Sequence, residues 1–273
     1  MSFRIAVVQF KITHLDPETN FTRMEQFIRS AARRHAQVII FPEDCITGSI
    51  FGDLSRLDMA QTTQNTFQEL AKKHHIDIVT GSCMEGRSEG NFNTSYYIDA
   101  RGIVLGTYRK NHLYPSEHSF LTPGSEVPVF ETAYGRAGIV ICWDMLFPEI
   151  FQRMKDQGVQ IIYCPSYWYR EIAESMAAYN PHSEEQQIDA LCVARSLETN
   201  TILIYSNAAG VQSYANGTKD TLIGHSQIVM PVLGSVKRLN HNREQMFIHE
   251  VNPLLLEGSS RIYQEGEPLS GDQ

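Results

Sequence analysis

Three side chains stand just past apolar, strand-like runs, and together they could carry acyl transfer through a covalent thioester. Cys142 closes the run Ala137-Gly-Ile-Val-Ile-Cys142, after which the chain turns polar at Trp143-Asp144. Glu43 follows Val38-Ile-Ile-Phe41-Pro42, and the β-like stretch from Ile103 to Tyr108 ends in Arg109-Lys110. Each has a bland reading when taken alone. A cysteine in an apolar strand is usually a small core residue, and a loop Glu or Lys is usually solvated. Their shared position carries the weight, because strand C-termini in layered α/β proteins converge on one rim.

The three groups complement one another chemically. A free thiol, with a pKa of about 8.5, is mostly protonated at neutral pH and needs a base, a cation or both to attack. Glu43 is the candidate base: it would take the Cys142 proton, pass it to a leaving amine and then activate water. Lys110 would stay charged and stabilise first the thiolate, then the oxyanion of a tetrahedral intermediate. The backbone N–H of Trp143, in the turn after the nucleophile, is the candidate second oxyanion donor. Glu117, in the loop after Lys110, is a candidate second carboxylate. Two carboxylates beside one ammonium do not both ionise freely, so one should hold its proton more tightly.

Other chemistries find no motif. Gly224-His-Ser-Gln-Ile228 lacks the closing glycine of a nucleophile elbow and leads into a strand. Neither G-x-x-x-x-G-K-[ST] nor G-x-G-x-x-G occurs, so nucleotide phosphate has no cradle. The ten histidines include no H-E-x-x-H, and His74-His75 would diverge on a helix, so no metal site is expected.

Strands and helices alternate to position these groups. Residues 3–10 read as a strand. A helix follows with Asp16 as N-cap, Pro17 in its first turn and Phe21, Met24, Phe27, Ile28 and Ala31 on one face. Residues 38–41 form the next strand, Met59 to His74 the second helix, and residues 76–81 a third strand. Paired strands over 93–99 and 103–109 are joined by Asp99-Ala-Arg-Gly102. Then come the strand into Cys142, a short helix from Pro148, a strand over 159–163 and a helix from Ser183 to Leu197. Strands at 201–206, 224–230 and 246–251 complete the set. Many strands with few helices predict two packed sheets with helices on their outer faces.

The chain bounds these readings. Its 273 residues are 42% hydrophobic, with no linker, repeat or low-complexity tract, which predicts one domain with its core over about 4–255 and a tail over 256–273. A net charge of −8 without a dense basic stripe argues against nucleic acid as a partner. The N-terminus reads as a strand rather than a signal peptide, and no apolar run approaches a membrane span. Five widely spaced cysteines without a C-x-x-C pair fit free thiols in a reducing compartment, with the cytoplasm as the default.

In this order the motifs resemble those of the nitrilase superfamily of carbon–nitrogen hydrolases. The segments that carry the resemblance are Val38-Ile-Ile-Phe-Pro-Glu43, Tyr108-Arg-Lys110-Asn-His-Leu113 with Glu117, and Gly138-Ile-Val-Ile-Cys142-Trp-Asp-Met-Leu-Phe-Pro-Glu149. Downstream, Ala194-Arg195-Ser-Leu-Glu198-Thr-Asn200, Asn207 with Gly210, and Gly224-His-Ser226 leading to Pro231 also fit. The resemblance implies a four-layer α-β-β-α sandwich that pairs into homodimers or larger assemblies and uses no cofactor. It also implies a Glu-Lys-Cys triad of Glu43, Lys110 and Cys142, supported by Glu117. Leu146 stands where many members carry Arg. Similar stretches to 163–181 wall the pocket in relatives, which makes Tyr167 and Trp168 candidate substrate contacts. That stretch also holds Tyr163, Tyr169, Tyr179, Arg170, Glu171 and Glu174, and an aromatic pocket with acidic groups would suit an apolar or cationic tail. Packing or a subunit interface is its other reading.

The expected activity is a thiol amidohydrolase that releases ammonia from a small linear amide. An N-carbamoyl amine hydrolase and a nitrilase are the neighbouring alternatives. A non-catalytic scaffold is the alternative of another class, and the intact triad speaks against it.

Overall fold

The computed structural model describes residues 2–214 and 217–264. In β1 (Phe3–Gln9) the two faces are sorted by alternation. Phe3, Ile5 and Val7 enter the core shared by two sheets, whereas Ala6 and Val8 pack under helices. α1 (Pro17–Arg33) begins as its sequence predicts, with the Asp16 carboxylate accepting the Thr19 N–H at 3.0 Å and Pro17 in the first turn. Met24, Ile28 and Ala31 form its buried stripe.

β2 (Val38–Ile40) lies parallel to β1, with Val38 opposite Ile5. α2 (Thr62–His74) starts later than Met59, which is left exposed. The Asp58 carboxylate takes the Thr62 and Thr63 N–H groups at 2.9 and 2.7 Å, so the helix begins where those donors are met. β3 (Asp77–Val79), β4 (Cys83–Arg87), β5 (Gly90–Ile98) and β6 (Val104–Arg109) extend the first sheet.

The second sheet is built from β7 (Val129–Thr132), β8 (Gly135–Ile139), β9 (Ile161–Ser166) and β10 (Ile202–Asn207), with β8, β9 and β10 mutually parallel. α3 (Pro148–Asp156) and α4 (Ser183–Thr199) pack on it through Ile150, Phe151, Met154, Ile188 and Cys192. β11 (Val211–Ser213) and β12 (Lys219–Thr221) form a separate hairpin, and β13 (Gln227–Met230) and β14 (Gly234–Arg238) finish the second sheet. β15 (Gln245–Val251) returns to the first sheet, antiparallel to β1, before α5 (Leu255–Gln264). Helices outside and two sheets inside make the four-layer α-β-β-α sandwich. Among the described residues no helix is long and apolar enough to cross a membrane.

Several boundaries differ from those read in the sequence. The strand before Cys142 ends at Ile139, and Cys142 opens a 3-10 turn, Cys142–Leu146. The strand expected over 224–230 starts at Gln227, because Gly224 and His225 have φ of 70° and 57° and leave the extended region. β4, β7 and β14 went unread; each is an edge strand without strict alternation of buried and exposed residues. Residues 255–264 are helical where a tail was expected, and residues 265–273 lie outside the described residues.

Candidate active site

Strand direction brings the three chemical groups to one rim. β1, β2 and β3 are parallel, β5 is antiparallel to β3, and β6 is antiparallel to β5, so β6 points the same way as β2. Glu43 follows β2 and Lys110 follows β6 on the first sheet, while Cys142 follows β8 on the second. The Glu43 N–H donates to the Ser166 carbonyl at the end of β9 at 3.3 Å, tying the two sheets together at this point.

The Lys110 ammonium donates to Glu43 Oε1 and to Glu117 Oε2, each at 2.8 Å. The Asn93 amide donates to the same two side chains, at 3.0 Å to Glu43 Oε1 and 3.3 Å to Glu117 Oε1. Backbone donors fix the remaining geometry. The Tyr167 N–H reaches Glu43 Oε2 at 2.9 Å, and the Tyr114 N–H reaches Glu117 Oε2 at 2.7 Å. The Cys142 thiol lies against the Glu43 carboxylate and the Ser166 hydroxyl, close enough for both to shift its pKa. Glu43 and Lys110 are each 2% exposed, so these contacts operate away from bulk water.

Burial sets the protonation states, and charge corrects them. Burial would lower the Lys110 pKa, but the Glu117 and Glu43 carboxylates outweigh it and hold the ammonium charged. Burial raises Glu43, Lys110 pulls it back and Glu117 pushes it up again, leaving a carboxyl above its usual range. Burial and then the Glu43 charge keep the Cys142 thiol well above its ordinary value, with Lys110 and Ser166 opposing. These shifts favour a protonated Cys142 thiol beside the Glu43 carboxyl.

The turn that presents the thiol is locally strained and externally braced. Cys142 has a φ of 47°, a left-handed conformation that for a residue with a Cβ costs on the order of 1 kcal/mol. Asp144, fully buried, holds the turn: its carboxylate accepts the Ile141 N–H at 2.9 Å, the Tyr108 hydroxyl at 2.7 Å and the His112 N–H at 2.9 Å. Those bonds connect the Cys142 turn to the segment carrying Lys110. Arg195 of α4 donates to the Met145 carbonyl at 3.1 Å and steadies the turn from behind. No backbone acceptor takes the Trp143 N–H among the described residues.

The thiol, the ammonium and both glutamates line a cavity of about 280 Å³. Tyr114, Trp143, Tyr167 and Tyr169 supply aromatic walls. Trp168 does not line it, contrary to expectation. It stacks behind Trp143 with ring centroids 5.3 Å apart and donates its indole N–H to Glu184 at 2.6 Å. The acidic groups of its segment also face elsewhere. Glu171 binds the Thr221 N–H and hydroxyl, and Arg170 pairs with Glu185. Leu146 and Tyr179 are exposed outside the cavity. Among the described residues no group of three or more His, Cys, Asp or Glu is disposed to hold a metal ion.

A model of the carbon–nitrogen hydrolase family matches residues 4–258. The chain belongs to that family. This carbon–nitrogen hydrolase is 27% identical to a probable nitrilase of Schizosaccharomyces pombe over 262 residues, which cover 92% of the chain and 89% of the relative. It is 28% identical to the 2-oxoglutaramate amidase of Bacillus subtilis over 235 residues, 85% and 84% of the two chains. In fold it matches a carbon–nitrogen hydrolase from Helicobacter pylori G27 with a TM-score of 0.87 at 20% identity, covering 97% and 94%. Saccharomyces cerevisiae Nit3, a nitrilase-superfamily member, gives 0.80 at 23% identity, covering 99% and 96%.

Sequence reading passed over residues that contact these groups: Asn93 bonds Glu43 and Glu117, Asp144 braces the Cys142 turn, and Ser166 lies by the Cys142 thiol. Asn93 carried a signal, since an Asn in a strand otherwise rich in Thr, Ser and Tyr is disfavoured unless its amide is used. Asp44 and Asp220 line the cavity and had no signal beyond their charge.

Proposed function

We propose that this hydrolase is an amidase that releases ammonia from a small linear amide through a thioester on Cys142. The observation that carries the reading is a single lysine bonded at 2.8 Å to two buried glutamates, one of which lies against a thiol in the same cavity. The names of relatives such as the 2-oxoglutaramate amidase support amides as the substrate class.

The Cys142 sulfur attacks the amide carbon as its proton passes to Glu43. Lys110 and the Trp143 N–H receive the oxyanion. Glu43 then gives the proton to the departing nitrogen, the C–N bond breaks and ammonia leaves an acyl thioester. Water attacks the thioester, yielding its proton to Glu43. The C–S bond breaks, the acid departs, and the proton returns to the thiol. Glu117 helps hold Lys110 charged and in place throughout.

Ammonia release from a panel of simple amides, carbamoyl amines and nitriles tests the reading. Cys142→Ala should abolish turnover with an unchanged melting curve, and Lys110→Met should lose roughly a hundredfold or more in rate. Iodoacetamide should label Cys142 ahead of Cys45, Cys83, Cys164 and Cys192, because Cys142 lines the cavity and the other four do not. Turnover surviving in Cys142→Ala would refute the mechanism. Faster turnover of nitriles or carbamoyl amines would reassign the substrate.

A further inference from the structure

We propose that Asp44 and Asp220 form a cation subsite on the wall of the cavity, so that the preferred amide carries a protonated amine in its tail. The inference rests on the amidase reading and specifies its substrate.

The charge inventory of the cavity motivates it. Among its lining residues are four carboxylates, Glu43, Asp44, Glu117 and Asp220, against one Lys or Arg, Lys110. Lys110 is already bonded to Glu43 and Glu117. Among the described lining residues, neither of the other two carboxyl groups is bonded to a cation. Asp44 is 6% exposed, and its Oδ1 is buried without a hydrogen-bond partner. Its backbone is pinned, with a φ of 54° and the N–H donated to the Ser82 hydroxyl at 3.2 Å. The carboxyl is thus held in place by its main chain while its Oδ1 acceptor goes unused. A fold rarely leaves a buried carboxyl oxygen unmet unless something else meets it.

Asp220 stands nearby. It accepts the Tyr214 hydroxyl, and Tyr214 shares a 2.9 Å contact with the Tyr167 hydroxyl. Asp44 and Asp220 line the same cavity as Tyr167, so both carboxyl groups share its wall with one member of the tyrosine pair. The His14 imidazole has Nε2 at 2.8 Å from the Ser49 carbonyl and packs edge-on against Tyr214. Tyr114, Trp143 and Tyr169 add π-faces that favour an ammonium over a carboxylate. An amide tail ending in a carboxylate would meet no free cation among the described lining residues. A neutral tail would leave Asp44 as unmet as before.

A series of equal length separates the possibilities: pentanamide, 5-aminopentanamide and 4-carbamoylbutanoate. The aminoamide should exceed pentanamide by about tenfold or more in kcat/KM, expressed mainly in KM, and the carboxylate should be slowest. Asp44→Asn and Asp220→Asn should each shrink the ratio of aminoamide to pentanamide several-fold. Equal rates across the series, or a ratio unmoved in both variants, would overturn the subsite while leaving the amidase reading intact. Should Asp44→Asn fail to fold, the wild-type series and Asp220→Asn decide. If no amide of any charge turns over, the amidase reading fails, and calorimetric titration with pentylammonium then tests the subsite alone. Binding that weakens in Asp220→Asn and is not matched by pentanoate would sustain it, and absence of pentylammonium binding would overturn it.

Discussion

A carboxyl that is buried without a partner makes stability depend on pH in a definite direction. Burial, followed by the charges of Glu43 and Glu117, raises Asp44 well above the ordinary aspartate pKa, with Lys110 opposing. The folded state therefore keeps a proton that the unfolded chain releases near pH 4, and stability falls as pH rises above that point. Asp44→Asn removes this penalty. Its melting temperature relative to wild type should climb from pH 4 to pH 8, and a constant offset would show that Asp44 ionises as freely when folded. Sequence reading singled out Glu43, Lys110 and Cys142 because each sits at or just past a strand end, where polarity changes abruptly, and Glu117 because it follows Lys110 in the same loop. Asp44 was out of its reach, since nothing local distinguishes a buried loop aspartate from a solvated one. Trp168 was misread for a reason of geometry. Side chains in extended chain alternate, so Tyr167 and Tyr169 face the cavity while the residue between them faces away.

Side chains, more than propensity, set where the elements near the site begin. Ile141 is as apolar as the strand before it, so the run through Cys142 reads as continuous. The break comes from Asp144, whose carboxylate claims the Ile141 N–H and starts the 3-10 turn. Asp144→Ala strands that donor together with the Tyr108 hydroxyl and the His112 N–H. It should cost about 3 kcal/mol in urea unfolding, and it should lower kcat and slow alkylation of Cys142. Loss of stability with normal thiol reactivity would confine Asp144 to a structural role. α2 follows the same logic through Asp58. Such caps were legible only where the acid immediately precedes a proline-led helix, as Asp16 does.

Many strands with few helices predicted two sheets with helices outside, and packing between the sheets supplies what that succession could not. At Gly106 an added Cβ would sit 2.2 Å from the ring of Phe130, which itself packs against Tyr97. Gly106→Ala should destabilise by about 1–3 kcal/mol in denaturant titration, and by less in a Phe130→Leu background. Equal losses in both backgrounds would place the strain elsewhere. The sheets are also joined near the site, where the Ser206 hydroxyl donates to the Val8 carbonyl and the Ala209 N–H to the Phe10 carbonyl, each at 2.8 Å. No sequence pattern announces such long-range bonds.

The pairing of β1 with β15 sets an order of events on the ribosome. Phe3 lies opposite Val251, so almost the whole described chain separates these partners. During synthesis the outer edge of β1 stays open while every other strand of both sheets emerges. A nascent chain halted before Gln245 would display that edge as a row of unmet donors and acceptors, ready to pair with another chain. The last strand to be made is thus the one that renders the first safe.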